Sequence, residues 1–370
     1  MDSYCKKIQD LLAEADVEIN GERDWDIQVN DERFYKRVIA EGSLGLGESY
    51  MEQWWDVKKL DQFFCQILHA NLDDKINPYN MVWLILRSKL FNLQSIRRAF
   101  SVAKKHYDVG NDLFSLMLDK RKTYTCGYWK NAKDLDQAQE DKLDLVCRKI
   151  GLKKNQLILD IGCGWGSFIK YAAEKYSARC VGVTVSKEQA EFAKKDCAHL
   201  PIEVRLQDYR MLDEKFDHIV SLGMFEHVGH KNYKKYMQVA SKCLKENGVF
   251  LLHTIGANRT RYTPDPWIHK YIFPNGVLPS MSDISKAIEG YFVLEDFHSF
   301  GTDYDKTLMA WFHNFDTHWY QLCEMYGDQF YRMWKYYLLG CAGAFRGRNI
   351  QLWQLVLTKN GMPNGYIPIT

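Results

Sequence analysis

An apolar run from Leu157 to Ile161 leads into Gly162, Cys163, Gly164, Trp165 and Gly166, with Asp160 inside the run. Glycines at this spacing permit a tight turn from a strand into a helix. They also let a ligand lie against the backbone at the carboxyl edge of a parallel sheet. The chemistry served by such a turn is capture of a nucleoside-bearing cofactor. A dinucleotide site would end its glycines on a longer step and place an acidic residue near the end of the next strand. Here that strand runs through Gly182 and Thr184 toward Gln189, so Thr184 and Gln189 must supply the polar contacts. A third strand ends at Asp208, which can accept from an adenine amino group, and Tyr209, which can pack on the ring.

The segment from Leu157 to Gly166 resembles the first motif of class I S-adenosylmethionine methyltransferases. Further motifs follow the same resemblance: Lys105 to Asp112, Tyr124 to Trp129, Gly223 to Gly229, His253 to Gly256 and Tyr271 to Gly276, in that order. Together they resemble the cyclopropane-fatty-acyl-phospholipid synthases from about Phe91 to Leu357. The N-terminal segment is similar to the extra domain of the bacterial phospholipid enzymes, which the mycolic-acid cyclopropane synthases lack. The resemblance implies that S-adenosylmethionine is held by Tyr124, Thr125, Asp160, Gly162, Cys163, Gly164, Gly166, Thr184, Gln189, Asp208 and Tyr209.

It also implies an acceptor, the cis double bond of an unsaturated acyl chain in a membrane phospholipid. An alkene is a weak, neutral nucleophile, so it reaches the sulfonium methyl only when both are held in line and water is excluded. Methyl transfer leaves a carbocation, and loss of a proton from the added methyl closes a cyclopropane ring. Aromatic faces stabilise a desolvated cation by about 2 kcal/mol without reacting with it. Trp267, Tyr271, Phe273, Tyr304 and Trp311 are candidates for that role.

In the resembling family the base is a bound bicarbonate, which implies a cage of Cys126 and Ile255, through their backbones, with Glu226, His253 and Tyr304. Glu226 is then expected to accept from the ion's hydroxyl rather than act as the direct base. Taken singly, a Cys, His or Tyr of this kind is more often an ordinary core residue. Cys341 matches a family cysteine considered as a catalytic thiol, but the mechanism needs no covalent thiol step, and it is read as pocket wall with a lesser candidacy for catalysis. His227 is read as fixing its turn. His298, His313 and His318 have no acidic or thiol companions at ligand spacing, so no metal site is expected.

These residues need a scaffold. Strand-like runs at 156–161, 178–185, 202–207, 216–222 and 249–255 alternate with helical ones from Phe168, Lys187 and Asn232. That alternation means a largely parallel sheet covered on both faces. Later strands are expected at 292–300 and 350–358, with aromatic-rich helices between 305 and 341. The expected fold is α/β, a Rossmann-like class I methyltransferase domain over 106–370 with a smaller α-rich N-terminal domain over 1–86. An amphipathic helix is expected from Val57 to Leu72, with Leu60, Phe63, Phe64, Ile67 and Leu68 at helical spacing.

Between the domains, residues 87–105 carry Arg87, Lys89, Arg97, Arg98, Lys104 and Lys105 with no acidic residue, interleaved with Leu90, Phe91, Leu93, Ile96 and Phe100. This mixture suits an anionic lipid surface, although a solvated basic linker would read the same way. With 370 residues, 46% hydrophobic and 26% charged, the chain has ample material for two folded domains. A net charge of +2 argues against wholesale nucleic-acid binding. Ten scattered cysteines and an N-terminus without an apolar signal core fit a reduced, cytoplasmic protein peripherally associated with the inner face of the membrane. No apolar stretch approaches the roughly 20 residues needed to span a bilayer. A homodimer formed through the N-terminal domain is implied by resemblance alone. Two rivals stand beside this reading: a related methyltransferase making branched lipid or methylating an amine, and a non-catalytic lipid-surface protein that kept a cofactor fold.

Overall fold

The computed structural model describes residues 3–72 and 110–370. The basic run 87–105, the expected boundary at 86, and residues 105–109 of the motif Lys105 to Asp112 lie outside the described residues. The rest forms two compact units. One comprises 3–72, 262–274 and 304–350, and the other comprises 110–261, 275–303 and 351–370. The α-rich unit is thus assembled from three stretches of chain rather than from the N-terminal segment alone.

Helices Ser3–Ala13, Arg33–Glu41, Ser43–Met51 and Leu60–His69 build its N-terminal part, with a small antiparallel pair, β1 (Gln28–Val29) and β2 (Trp55–Asp56). The helix Leu60–His69 realises the amphipathic stretch and buries Leu60, Phe63, Phe64 and Ile67. A long helix, Cys323–Arg346, broken at Gly327, packs on it. Gly343 makes that approach possible, because a Cβ there would collide with the Asp61 carbonyl. Arg346 then bridges Asp61 and Asp305. Aromatic rings fill the interior: Trp55 meets Phe34, Tyr50 and Phe63, and Tyr336 meets Tyr50, Phe64 and Trp267.

The second unit is built on a seven-stranded sheet. Its strands are β3 (Leu157–Ile161), β4 (Arg179–Thr184), β5 (Ile202–Leu206), β6 (Phe216–Leu222), β7 (Leu244–Ala257), β8 (Val293–Ser299) and β9 (Ile350–Thr358). Their order is β5-β4-β3-β6-β7-β9-β8, with β3 to β7 paired in parallel and β8 antiparallel to β9. Side chains alternate between two cores, as strand geometry requires. Leu159, Ile161, Val181 and Val183 face helices Tyr233–Cys243 and Met281–Ile288. Ile158, Cys180 and Val220 face helices Leu135–Lys149, Ser167–Tyr176 and Lys187–Asp196. Each large apolar side chain so buried contributes roughly 1.5–3 kcal/mol.

The interior strand β3 has β4 on one side and β6 on the other, so the winding direction reverses at its carboxyl end. That is where open α/β sheets bind ligands. This α/β architecture is the one expected, with β6 and β9 at the expected bounds. β7 runs longer than its apolar segment because the polar residues Lys245, Glu246 and Asn247 also belong to it. Among the described residues no helix is long and apolar enough to cross a membrane.

Candidate active site

The glycine turn sits at the switch point. Gly162, Gly164 and Gly166 have φ of 91°, 55° and 89°, a region that side chains with a Cβ rarely occupy. The backbone N–H groups of Gly162 and Cys163 both donate to the Val183 carbonyl, which folds the turn over β4. A Cβ on Gly162 would meet Met224, and one on Gly166 would press on Ala193. At Gly164 a Cβ would meet nothing within 4 Å, so the backbone there faces open space. A cradle of this shape fits the nucleoside and methionyl parts of S-adenosylmethionine.

Beside it, the Thr184 hydroxyl donates to Gln189 Oε1 at 3.1 Å, tying those two residues to each other, and Ser186 caps the helix that carries Gln189. Asp208 is buried, and its carboxylate is clasped by the Nε and Nη2 of Arg210 at 2.8 and 2.6 Å. Arg210 was not singled out in the sequence, because an arginine two residues from an aspartate at a strand end reads as ordinary surface charge. Tyr209 packs edge-to-face on Tyr236 with centroids 4.9 Å apart.

Below the turn lies a buried charge group that sequence reasoning also missed. Lys142, on the helix Leu135–Lys149, is fully buried and donates to Thr125 Oγ1 at 2.8 Å. The neighbouring Gln139 donates to the Thr125 carbonyl at 2.7 Å. Together they hold the segment that carries Tyr124, Thr125 and Cys126. Burial pushes Asp160 up to about 7, opposed by the charge of Lys142. Burial likewise pushes Lys142 down to about 8, opposed by Asp119. The surrounding helix sequence, rich in both charge signs, reads as a solvated face, and nothing in it marks Lys142 as interior.

Gly223 at the end of β6 lies against Thr125, whose methyl a Cβ would strike, and its N–H donates to the His253 carbonyl. The following turn carries Glu226. Its Oε1 accepts the Ile255 N–H at 2.6 Å, while its buried Oε2 has no hydrogen-bond partner. Burial raises Glu226 to about 7, against the lowering effects of that N–H, of its own backbone N–H and of the Thr254 hydroxyl. The Ile255 N–H is therefore committed to Glu226 here. His253, on β7, faces Gln354 Nε2 with its Nδ1 at 3.2 Å, and its buried Nε2 has no partner. Burial, with the charges of Lys142, Lys149 and His298, keeps this ring neutral. Cys126 is buried, its Sγ 3.1 Å from the Gly127 carbonyl.

One unit thus gathers the glycine cradle, Cys126, Glu226, His253 and Ile255. Tyr304 belongs to the other unit, where it stacks on Phe345 at 4.5 Å. The other four aromatics proposed to face a cation, Trp267, Tyr271, Phe273 and Trp311, belong to that same unit, as does Cys341. The Cys341 residue keeps some surface contact, yet burial of its thiol pushes it up to about 12. His298 Nδ1 lies 3.1 Å from Lys149 Nζ, a cation rather than an acidic or thiol companion, and Lys149 in turn meets Asp296 at 3.3 Å.

A sequence profile of the family described as mycolic acid cyclopropane synthetase matches residues 94–355. The chain is 50% identical over 365 residues to the cyclopropane-fatty-acyl-phospholipid synthase of Escherichia coli K12, covering 98% of this chain and 95% of that one. A solved cyclopropane synthase from Mycobacterium tuberculosis aligns with a TM-score of 0.67 at 32% identity, over 70% of this chain and 98% of its own. A mycolic acid cyclopropane synthase solved with SAH and CTAB aligns with a TM-score of 0.66 at 34% identity, over 70% and 98%.

Proposed function

The chain belongs to the mycolic acid cyclopropane synthetase family and is an S-adenosylmethionine-dependent methyltransferase, and from that premise we propose that it adds a methylene group to the cis double bond of unsaturated acyl chains in membrane phospholipid. Near-full-length likeness to a phospholipid enzyme supports the acceptor class.

The single observation that carries the mechanism is a pair of buried, unpartnered polar atoms, Glu226 Oε2 and His253 Nε2, in the unit that also holds the glycine cradle. Polar atoms buried without partners are costly, about 1–3 kcal/mol each, and are kept where a ligand completes them. One carboxylate acceptor and one imidazole nitrogen fit a small anion bearing a hydroxyl. Bicarbonate would supply there a weak, replaceable base for the proton that leaves the added methyl. Glu226 accepts from the ion's hydroxyl, and His253 and the Cys126 backbone hold its oxygens. The Ile255 N–H acts by fixing Glu226, and Tyr304 is assigned to the same cage by resemblance. Nothing in this scheme asks for a thiolate, and a thiol held near 12 does not provide one.

The basic run 87–105 is proposed to dock the protein on an anionic bilayer from the cytoplasmic side, each cation contributing roughly 1 kcal/mol. A homodimer through the N-terminal segment 1–86 completes the proposal. Unchanged binding to anionic liposomes after neutralising those six basic residues would remove the docking part.

The decisive experiment is mass spectrometry of lipids after incubation with S-adenosylmethionine and liposomes of unsaturated phospholipid. The expected product has gained CH2 and lost its double bond. A methyl-branched product would move the chain to the related branching reaction, and an unchanged lipid would sink the assignment.

A further inference from the structure

Three adjacent strands carry a row of polar groups of which the mechanism above uses His253 alone. His253 stands on β7, Gln354 on β9, and His298 on β8, where it is the register partner of Gln354. Paired residues on neighbouring strands project from the same sheet face. Gln354 is fully buried between Trp353 and Leu355 in a strand rich in Leu, Trp and Val, where an amide is expensive unless it has a task. Its Nε2 lies 3.2 Å from His253 Nδ1. On the far side of the row, His298 Nδ1 lies 3.1 Å from the buried ammonium of Lys149, which Asp296 partners at 3.3 Å. The Phe300 ring stands edge-on to His253 at 5.9 Å.

The charged and titratable groups acting on His253 are Lys142 and Lys149 from the helix Leu135–Lys149 and His298 from β8. All three disfavour a second proton on the ring, so only one ring nitrogen carries hydrogen. Which one is set by the partner of the other. The Gln354 amide turns its nitrogen, which can only donate, toward Nδ1 and leaves its Oε1 buried without a partner, so in this arrangement Nδ1 accepts and the proton resides on Nε2. We propose that Gln354 is a positioning residue that locks His253 in the Nε2–H form, giving the buried site one donor at His253 to complement the acceptor Glu226 Oε2. With the other tautomer both unpartnered atoms would be acceptors, an arrangement unable to hold an anion. The use of this donor rests on the anion cage proposed above, whereas the tautomer itself does not.

The test is nuclear magnetic resonance of the full-length protein labelled with 15N-histidine, with His253 identified by the signal lost in His253→Gln. Long-range 1H–15N correlations are expected to show His253 protonated at Nε2 and bare at Nδ1. In Gln354→Glu the carboxylate can only accept, so the proton is expected to move to Nδ1. The same variant should lower kcat on the order of tenfold, the scale seen when an imidazole's orienting partner is lost, with little change in KM for the phospholipid. Wild-type protein with the proton on Nδ1 overturns the proposal whether or not the variant folds, and so does an unchanged tautomer in Gln354→Glu. Turnover indifferent to removal of bicarbonate would defeat the cage reading while leaving the tautomer result standing.

Discussion

The backbone N–H of Ile255 donates to Glu226 Oε1 at 2.6 Å, leaving Oε2 of the same carboxylate buried and unpartnered. A strand thereby fixes the side chain of a neighbouring turn. One oxygen is held by the backbone, and the other is the atom proposed above to meet the anion.

Glu226→Gln preserves an acceptor for the Ile255 N–H but puts an amide in place of the carboxylate. Turnover is expected to fall by on the order of 100-fold or more, while the thermal midpoint moves little. Steady-state rates beside a melting curve check both halves, and a large drop in midpoint would mean the carboxylate is chiefly structural.

The carboxyl of Glu226 is raised to about 7 by burial, so the acceptor form gains population as pH rises through 7 and is lost below it. At a fixed bicarbonate concentration, kcat/KM is expected to climb from pH 6 to 8 with an apparent midpoint near 7. Glu226→Gln should flatten that limb in whatever activity remains.

Lys142→Met removes the buried cation that opposes the upward shift of Asp160 and lets go of Thr125. Stranding one member of a buried charge group costs about 3–5 kcal/mol. Urea unfolding should register that loss, and adding Asp160→Asn to the variant should recover part of it.

Gly256→Ala places a methyl against the Trp353 ring, where a Cβ has no room. Overpacking of this kind costs about 1–3 kcal/mol. Because Gly256 follows Ile255, the strand shift should also weaken the Glu226 contact, lowering activity together with stability. An alanine variant as active and stable as the parent would contradict the packing described.

Cys341→Ala is expected to leave turnover within about threefold of the parent, because burial holds the thiol near 12 and the thiolate is the reactive form. Loss of orders of magnitude without loss of folding would restore a direct role for the thiol.

Much of this was readable in the residues, and the misses have identifiable causes. The run Ile350–Thr358 carries enough Ile, Leu, Trp and Val to read as a late strand, and it forms β9 at those bounds. Three glycines at residues 162–166 marked the tight turn that follows β3. The two-residue strands β1 and β2 are too short to leave a pattern. Lys142 and Lys149 were hidden by the charged residues around them in sequence, since burial of a cation depends on partners such as Asp119 and Asp296 that lie far along the chain. Gln354 gave no signal, because no spacing rule marks one amide in a hydrophobic strand as the neighbour of a distant histidine.

The α-rich unit takes its first helices from 3–72 and the long helix that packs on Leu60–His69 from 323–346. During synthesis those first helices leave the ribosome nearly the whole chain ahead of their packing partner. Phe63 and Phe64 therefore spend that interval without the cover the finished fold gives them, a situation that invites chaperone engagement. A fragment ending near residue 86 would remain in that condition permanently, so the N-terminal segment should not be expected to fold when expressed alone.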